Sequence, residues 1–490
     1  MEYEVFLPMS RLLSSIRDLI LTQKDINKSI ELAEVYGAIL WAVDKGVYDE
    51  PELEATLTAR CVTVFPESEF QLPTKDCVHV ISEPYLIGGH TRLMEQLSTM
   101  HAKKPDLLIT RISNEKAVER TQKFFESYAM VKSGTPLERI AEIVEYLKKY
   151  ERVVLHIHPD DMISVIACSL VKKISSAKIF FVNHADHVFT YGSSVADIYF
   201  EISTFGRRRD MKKNILGEKS FLGIPLTSLR VTKKHCLPAK TDALNFFSAA
   251  SPFKFKPVKN YDLRPAIDRV LSEFKNAKFW IVGANPYTNF WWWPIKLRYG
   301  SRFKILSSVP YESYLKLLEG ADFYVDSYPT PGGTAFAEQL VSGRRCVGLR
   351  APIQGYSPAD NLKDESVEEF IDSILHRDND EQTIASVFAV NGYEAVKSRY
   401  RACLYDRVVC ANEMEKYVAW TGDISVYEQT GKISSSIPPA VVSKLVDFDK
   451  HFLYILLLEL NAVQKMKVLA KLALLRFKSF VVKSLRSGKS

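Results

Sequence analysis

The seven cysteines of this 490-residue chain form no CxxC pair and are scattered from Cys61 to Cys410. An odd, dispersed set of thiols in a chain of this length is typical of reduced cysteines in a cytosolic setting, and it argues against a disulfide scaffold. No stretch has the length of a clean membrane span, and residues 1–8 carry acids instead of the apolar core of a signal peptide. We therefore expect a cytoplasmic protein.

The chain also lacks a GxGxxG motif after any predicted strand, which argues against an NAD enzyme. Its formal net charge of +7 is a mild excess that does not by itself imply nucleic acid, and we predict no nucleic-acid partner. Hydrophobic residues make up 47% of the sequence and charged residues 25%, which leaves ample material for packed cores. The length favours two or three domains.

The segment 320–349 has the clearest functional pattern. A short apolar strand leads into a turn that contains Gly332 and Gly333, and a helix begins near Thr334. Adjacent glycines let the backbone approach a ligand closely, and the N–H groups of a helix start favour an anion. One turn later, Glu338 is placed to accept hydrogen bonds from ribose hydroxyls. Phosphate plus ribose indicates a nucleotide, and an ordinary strand–helix turn is the alternative.

The first half of the chain shows a related unit. Residues 9–60 have apolar side chains at helical spacing and predict a helical cap. A strand over 76–82 then leads through a glycine loop to a helix that begins near His90. This is the place of the first unit of a doubly wound domain, so we expect Gly89 to bind ligand and His90 to face the crevice. The alternative is an exposed helix start.

A later strand over 179–182 ends in a polar group formed by His184, Asp186 and His187. Such side chains at the carboxyl end of a parallel strand serve as a base, bind substrate, or make structural hydrogen bonds. Their spacing is not a recognised zinc pattern, and we predict no metal. The arginines of residues 207–209 follow the next strand, where they either bind acidic groups or form a solvated face.

Strands and helices alternate regularly in the second half, from a strand over 244–249 to the segment 320–349. This alternation predicts a parallel, doubly wound sheet, and a linker over 225–245 separates it from the first series. Lys254 lies in the loop after the first of these strands, on the same sheet edge as the turn of Gly332 and Gly333.

The tail from Asp447 differs from the rest. It is apolar at helical spacing, and after His451 its only acid is Glu459. The basic residues that interrupt it are Lys465, Lys467, Lys471, Arg476, Lys478, Lys483, Arg486 and Lys489. A basic amphipathic helix suits an anionic membrane surface. We expect the start of the tail to pack and its basic end to touch lipid, with packing on the domain throughout as the alternative.

Residues 244–350 resemble the nucleotide-sugar-binding domain of GT-B glycosyltransferases, in particular the O-GlcNAc-transferase-like group. The match covers, in order, SAASPFKFKP, KNAKFWIVG and RFKILSSVPYESYLKLLEGADFYVDSYPTPGGTAFAEQLVSGRRCVGL. The N-terminal part, with GGHTRLMEQL and NHADHVFTYG, is similar to bacterial glycosyltransferases of cell-surface polysaccharide assembly. The resemblance implies an α/β fold of GT-B type, with two facing Rossmann-like domains, a helical N-terminal cap and a helical C-terminal tail.

Four segments follow from this assignment. We predict a cap over 1–75, an acceptor-side Rossmann-like domain over 76–235, a nucleotide-sugar-binding domain over 236–430, and a basic amphipathic tail over 431–490.

The resemblance also implies roles for single residues. Lys254 resembles the lysine that contacts the donor diphosphate, Gly333 and Thr334 resemble the phosphate-binding turn, and Glu338 resembles the acid that holds ribose. Two features depart from the O-GlcNAc-transferase-like group. That group often has histidine at the position of Gly333, and a helical repeat array precedes its catalytic domain, whereas the N-terminal segment here shows no repeat.

By resemblance, the chain is a metal-independent hexosyl- or N-acetylhexosaminyltransferase. It uses a nucleotide diphosphate sugar, implied to be uridine-linked, as substrate and needs no cofactor. The implied acceptor is a glycan, a lipid-linked glycan or a protein, and the implied process is the biosynthesis of lipopolysaccharide, O-antigen or capsule, or protein glycosylation. The enzyme is expected to bind peripherally to the inner face of the membrane. An inverting enzyme needs a base, for which His90 and Asp186 rank ahead of His184 and His187. The alternatives are a catalytically inactive nucleotide-binding scaffold at the membrane and a nucleotide-sugar epimerase.

Overall fold

The computed structural model describes residues 8–65, 69–86, 88–226, 243–309, 311–377, 381–418, 422, 424–425 and 437–487. The chain divides into two compact units. The first comprises Met1–Phe200, Arg209–Lys219 and Tyr427–Ser490, and the second comprises Glu201–Arg208 and Ser220–Val426. Most of the predicted linker over 225–245 lies outside the described residues.

Three helices open the first unit, as the helical spacing predicts. They are α1 (Pro8–Thr22), α2 (Ile26–Ala42) and α3 (Pro51–Val62). Asp25 caps α2, because its carboxylate accepts hydrogen bonds from the backbone N–H groups of Asn27 and Lys28. Pro51 begins α3, where its missing N–H leaves no hydrogen bond unmade. The apolar faces of these helices lie in the main core of the unit.

A seven-stranded sheet follows these helices. Its strands are β1 (Lys75–Ile81), β2 (Asp106–Ile109), β3 (Tyr128–Met130), β4 (Tyr150–His156), β5 (Lys178–Val182), β6 (Ile198–Glu201) and β7 (Glu218–Phe221). Their spatial order is β3-β2-β1-β4-β5-β6-β7, and the pairings from β3 to β6 are parallel. The order reverses between β1 and β4, which is the kind of switch point where doubly wound folds bind ligands.

Helices connect these strands: α4 (Gly89–Ser98), α5 (Glu115–Thr121), α6 (Pro136–Leu147), α7 (Met162–Ile174) and α8 (Thr204–Asp210). Successive side chains of a strand point to opposite faces of the sheet. On β1, Val78 and Val80 join the main core, whereas Ile81 joins a smaller core with Met94 and Phe125. The sheet is therefore covered on both faces.

Two details of the first unit differ from the sequence prediction. The sequence predicts a helix over 115–128, but α5 ends at Thr121, and β3 follows because residues 128–130 pair with the edge of β2. Arg209 has neither of the two predicted roles, because it lies on no solvated face and is not open to an acidic ligand. Its side chain is fully buried and pairs with Asp44 at 2.7 Å, so this guanidinium is a structural group.

The second unit contains a five-stranded parallel sheet. Its strands are β8 (Asn245–Ala249), β9 (Lys278–Val282), β10 (Phe303–Leu306), β11 (Phe323–Val325) and β12 (Arg345–Val347). Its helices are α9 (Arg264–Glu273), α10 (Trp293–Tyr299), α11 (Tyr311–Glu319), α12 (Ala335–Val341), α13 (Val367–His376), α14 (Glu381–Asn391) and α15 (Tyr393–Asp406). The strand order is β10-β9-β8-β11-β12, so its switch point lies between β8 and β11. The predicted alternation of strands and helices is confirmed.

The tail returns to the first unit as α16 (Pro439–Phe448), α17 (Lys450–Glu459) and α18 (Ala462–Ser487). Phe452, Leu456 and Leu460 are buried in the main core, so the start of the tail packs as predicted. Within the described ranges, no helix has the length and apolar character that crossing a bilayer requires.

Candidate functional site

The carboxyl edge of the second sheet brings two predicted ligand-binding segments into contact. Lys254 lies in the loop after β8, and the glycine turn follows β11, the neighbouring strand across the switch point. The Lys254 Nζ donates to the backbone oxygen of Pro331 at 2.7 Å, and the backbone N–H of Thr330 donates to the oxygen of Lys254 at 3.2 Å. These two bonds hold the ammonium group against the turn.

The glycine turn is fixed by Asp326, the residue that follows β11. Its Oδ1 accepts hydrogen bonds from the backbone N–H groups of Ser327 at 2.8 Å and Gly332 at 2.9 Å. A Cβ on Gly332 would lie 2.9 Å from the same oxygen, which explains the glycine there. Gly333 has φ +69°, and no heavy atom among the described residues lies within 4 Å of where its Cβ would be. The turn therefore has no room for a side chain at Gly332, whereas the space around Gly333 is open.

A buried ion-pair network lies beneath this turn. Lys363 Nζ lies 2.7 Å from Asp326 Oδ2 and 2.6 Å from Asp360 Oδ1, and all three side chains are at least 96% buried. Burial opposes the charge of Lys363, but the two carboxylates outweigh it and raise the pKa of this amine. Sequence reasoning missed this network. Its one sequence signal is an aspartate placed directly after a buried strand.

Thr334 and Glu338 lie at the start of α12. Thr334 is the residue before the first helical turn, and its side chain makes no capping hydrogen bond. Glu338 lies one turn further and is buried, with 8% of its surface exposed. The ribose contact of Glu338 and the phosphate contact of Thr334 stay predictions.

The carboxyl edge of the first sheet holds histidines. His90, the second residue of α4, donates from Nε2 to the backbone oxygen of His156 at 2.9 Å, and its ring meets that of His184 edge-on at 4.3 Å. Gly89, the first residue of α4, has open space around its Cβ position within the described part of the chain. The structure thus brings the predicted residues His90 and His184 together at the end of β4.

His184 belongs to a longer chain of hydrogen-bonded imidazoles. His184 Nε2 lies 2.7 Å from His156 Nδ1, and His156 Nε2 lies 3.0 Å from His79 Nδ1. His79 Nε2 in turn lies 3.0 Å from His101 Nε2. Burial, and after it the neighbouring rings, lowers the pKa of His79, His156 and His184 well below the usual value. Sequence reasoning missed this chain, because two of its members lie on separate strands and two lie in separate loops.

His90 is set up to accept a proton. Because Nε2 donates to a carbonyl, the ring carries its proton on Nε2 and leaves the Nδ1 lone pair free to accept. This Nδ1 is buried and has no hydrogen-bond partner among the described residues. Burial, followed by the nearby His158, lowers the pKa of His90 to about 4, so the ring is neutral at pH 7.

Of the other two predicted residues at this edge, Asp186 is buried and His187 is about one-third exposed. Asp186 is only 2% exposed, and its Oδ1 lies 3.5 Å from His187 Nδ1. The backbone oxygen of His187 accepts a hydrogen bond from Arg209 at 2.6 Å. The buried side-chain amide of Asn183, directly after β5, has no hydrogen-bond partner within the described ranges, which marks it as a further candidate for ligand contact.

A buried carboxylate also supports this edge. Asp161 Oδ2 accepts from the hydroxyls of Ser82 at 2.6 Å, Thr110 at 2.9 Å and Ser164 at 2.8 Å. Burial would raise its pKa, but Arg111 and then these hydrogen bonds outweigh burial and lower it. The carboxylate therefore ties the loops after β1, β2 and β4 together.

Comparison with known proteins adds to this geometry. No protein-family model and no curated protein matches the chain. A mutant O-GlcNAc transferase of Thermobaculum terrenum is similar over 81% of this chain and 85% of its own, with 12% identity and a TM-score of 0.50. HepE of Anabaena, in complex with UDP and glucose, matches 67% of this chain and 98% of its own, with 12% identity and a TM-score of 0.47.

The lipopolysaccharide outer core galactosyltransferase WaaB, in its apo form, is similar over 68% of this chain and all of its own, with 12% identity and a TM-score of 0.49. At these identities the likeness concerns the fold alone, and it rests on the O-GlcNAc transferase, whose TM-score reaches 0.50. Two Rossmann-like units with this strand order, together with that likeness, confirm the predicted fold class: the chain has the GT-B fold.

Proposed function

We propose that this protein transfers a sugar from a nucleotide diphosphate sugar to an acceptor hydroxyl. One observation carries the proposal. At the switch point of the second sheet, the ammonium group of Lys254 is held against a glycine turn that is open above Gly333. A fixed cation beside a glycine turn with open space is suited to a diphosphate, the group that such a donor loses.

The chemistry follows from where charge develops. As the bond from the sugar to the diphosphate breaks, negative charge builds on the leaving phosphate. Lys254 and the backbone N–H groups of Gly333 and Thr334 would stabilise that charge without reorganising, because the network of Lys363 and Asp326 already fixes the turn. Glu338 would hold the ribose, and Gly89 would serve as a further backbone contact.

For an inverting reaction, we infer that His90 is the base. Its Nδ1 lone pair has no partner among the described residues and its ring is neutral, so it can take the acceptor proton. His184 is the runner-up, because its Nε2 is engaged by His156. Asp186 and His187 rank lower, since Asp186 is buried beside His187.

The donor class is part of the proposal. The resemblance in sequence implies uridine, and a relative of similar fold is by name an O-GlcNAc transferase, so UDP-N-acetylglucosamine is the first donor to try. Hexose donors come next. The acceptor is proposed to be a surface glycan, a lipid-linked glycan or a protein.

The test measures nucleoside diphosphate released from each donor, with a mixture of lipid-linked and free glycans as acceptor. Wild type should release it, Lys254→Ala should lose most of the rate, and Lys256→Ala, an exposed lysine two residues away, should keep it. His90→Ala should lower the rate while nucleotide binding is unchanged.

Binding of the nucleotide without release of nucleoside diphosphate from any donor would favour an inactive scaffold. Interconversion of free nucleotide sugars without acceptor would favour an epimerase.

We also propose that α18 attaches the protein to the inner face of the membrane. Val463, Met466, Leu474 and Phe477 are 55–68% exposed and lie three to eight residues apart, on one face of the helix. The buried Leu472 lies on the opposite face. Exposed Lys467, Lys471 and Arg476 flank the apolar stripe, as expected for a helix lying on an anionic bilayer.

Substitution tests this attachment better than truncation, because residues 451–490 include the buried Phe452 and Leu456. The double variant Met466→Glu/Phe477→Glu should no longer sediment with phosphatidylglycerol vesicles. Leu297→Glu, at an 80% exposed site in the second unit, should sediment like wild type. Equal sedimentation of all three proteins would refute the attachment.

A further inference from the structure

A cysteine and two histidines form a compact cluster on one face of the first sheet. Cys77 and His79 are alternate residues of β1, so their side chains point to the same face. His101 lies three residues after the end of α4. One ligand atom from each residue lies within 4.8 Å of the other two. We call these three residues the Cys/His cluster.

The cluster has the dimensions of a metal site. His79 Nε2 and His101 Nε2 point at each other at 3.0 Å. In a tetrahedral zinc site with Zn–N bonds of about 2.0 to 2.1 Å, two nitrogen ligands lie about 3.3 Å apart. A displacement of a few tenths of an ångström between the two nitrogens would therefore admit the ion between the rings. Cys77, whose sulfur lies within 4.8 Å of a ring nitrogen of each histidine, would supply the third ligand.

Burial and access also suit a bound ion. His79 is fully buried and Cys77 is 5% exposed, so the strand supplies two fixed ligands. His101 is half-buried, which leaves a route from solvent to the cluster. One thiolate with two imidazoles is a mixed sulfur and nitrogen set, which binds zinc in preference to hard cations such as magnesium.

We propose that the Cys/His cluster binds one Zn²⁺ through Cys77 Sγ, His79 Nε2 and His101 Nε2. This site is separate from the turn of Lys254 and Gly333, and it does not depend on the proposed transfer reaction. It was not expected from the sequence, because the three ligands do not follow a known zinc spacing.

The hydrogen bonds around the cluster explain what the ion does. Metal-bound histidine usually donates its other N–H to a neighbour, which fixes the ring. With Nε2 on the metal, His79 keeps its proton on Nδ1 and donates it to His156 Nε2 at 3.0 Å. His156 must then carry its proton on Nδ1, where it donates to His184 Nε2 at 2.7 Å. The ion thus sets the tautomer of every ring up to His184.

The test uses the full chain, expressed with zinc and purified without chelator. Elemental analysis should find about one zinc per chain, and His101→Ala should lose it. Cobalt added to the metal-free protein should give the visible bands of tetrahedral Co²⁺ and a thiolate charge-transfer band in the near ultraviolet. Cys77→Ser should lose the charge-transfer band. The matched controls are Cys61→Ser, a buried thiol outside the cluster, and His376→Ala, an exposed histidine.

The wild-type cobalt spectrum needs no variant, so the proposal stays testable even where a substitution impairs folding. Less than about 0.2 zinc per chain together with no cobalt bands in folded wild type would overturn it, and the cluster would then be a hydrogen-bonded histidine chain only. Equal zinc loss in His376→Ala and His101→Ala would also overturn it, because the metal would then be bound adventitiously.

Discussion

Each sheet places a buried aspartate after its fourth strand in chain order, but the two carboxylates are stabilised differently. In the first unit, Asp161 follows β4, accepts hydrogen bonds from three hydroxyl groups and is stabilised by the charge of Arg111 without a direct ion pair. In the second unit, Asp326 follows β11 and pairs with the ammonium group of Lys363. Both strands neighbour the first strand of their sheet at the switch point, so the fold sets the position and the surrounding side chains set the chemistry.

This difference has a functional consequence. In the second unit the ion pair fixes a turn whose backbone amides and Lys254 present positive charge, which suits an anion. In the first unit the carboxylate of Asp161 is bound by hydroxyl groups, and the rings of His90 and His184 at this edge are neutral. Neutral imidazoles suit proton acceptance. The comparison therefore supports the proposal that the second unit binds the donor diphosphate and that the first unit supplies the acid–base chemistry.

Removing Lys363 should have the largest effect on stability. Lys363→Met leaves Asp326 and Asp360 buried without a cation, which should lower the free energy of unfolding by about 3 to 5 kcal/mol. Urea unfolding followed by tryptophan fluorescence measures this, because five of the six tryptophans belong to the second unit. Lys256→Met, an exposed control, should stay within about 0.5 kcal/mol of wild type. A loss below about 1 kcal/mol for Lys363→Met would contradict the ion-pair account.

Removing one hydroxyl from Asp161 should cost less. Ser82→Ala deletes a donor to the carboxylate and an acceptor for the backbone N–H of His158, so we expect a loss of about 1.5 to 3 kcal/mol. Hydrogen exchange of the β1 and β4 amides reports this loss. Ser133→Ala, at an exposed position, is the control. A loss as large as that of Lys363→Met would remove the contrast between the units.

The histidine edge should make the first unit sensitive to acid. The pKa of His90 is about 4 in the folded state and about 6.5 in an unfolded chain. Between these values only the unfolded state binds the proton, so the stability is full above about pH 6.5 and falls as the pH drops toward 4. Each such histidine contributes a slope of about 1.4 kcal/mol per pH unit.

Unfolding free energies at pH 7, 6 and 5 measure this slope. His90→Asn should reduce the slope by up to about 1.4 kcal/mol per pH unit, which corresponds to one proton. The exposed control His376→Asn should have the slope of wild type. Identical slopes for wild type and His90→Asn would show that His90 is not buried in its neutral form.

Much of this arrangement could be predicted from the sequence. The alternation of apolar strands and amphipathic helices fixes the two doubly wound sheets, and adjacent glycines after a strand mark the turn of Gly332 and Gly333. The sequence also predicts Lys254 at this edge, because the loops after parallel strands share one edge of a sheet. In the structure its Nζ lies 2.7 Å from the backbone oxygen of Pro331 in the turn.

What the sequence did not predict depends on pairing between distant residues. The buried position of Arg209 requires Asp44, which lies 165 residues earlier in the chain. β3 is three residues long and forms only because β2 offers an edge. The contact of His79 with His156 spans 77 residues, and neither lies in a motif. Local patterns carry no information about such pairs.

The most direct test of the central claim is a calorimetric titration of UDP, GDP, CMP, TDP and ADP into three proteins: wild type, Lys254→Ala and Lys256→Ala. One nucleotide should bind wild type and Lys256→Ala equally. Charge-assisted hydrogen bonds contribute about 1.5 to 3 kcal/mol, so Lys254→Ala should bind roughly 10- to 150-fold more weakly. Equal affinity in Lys254→Ala, or no binding of any of the five to folded wild type, would contradict a diphosphate site at this turn.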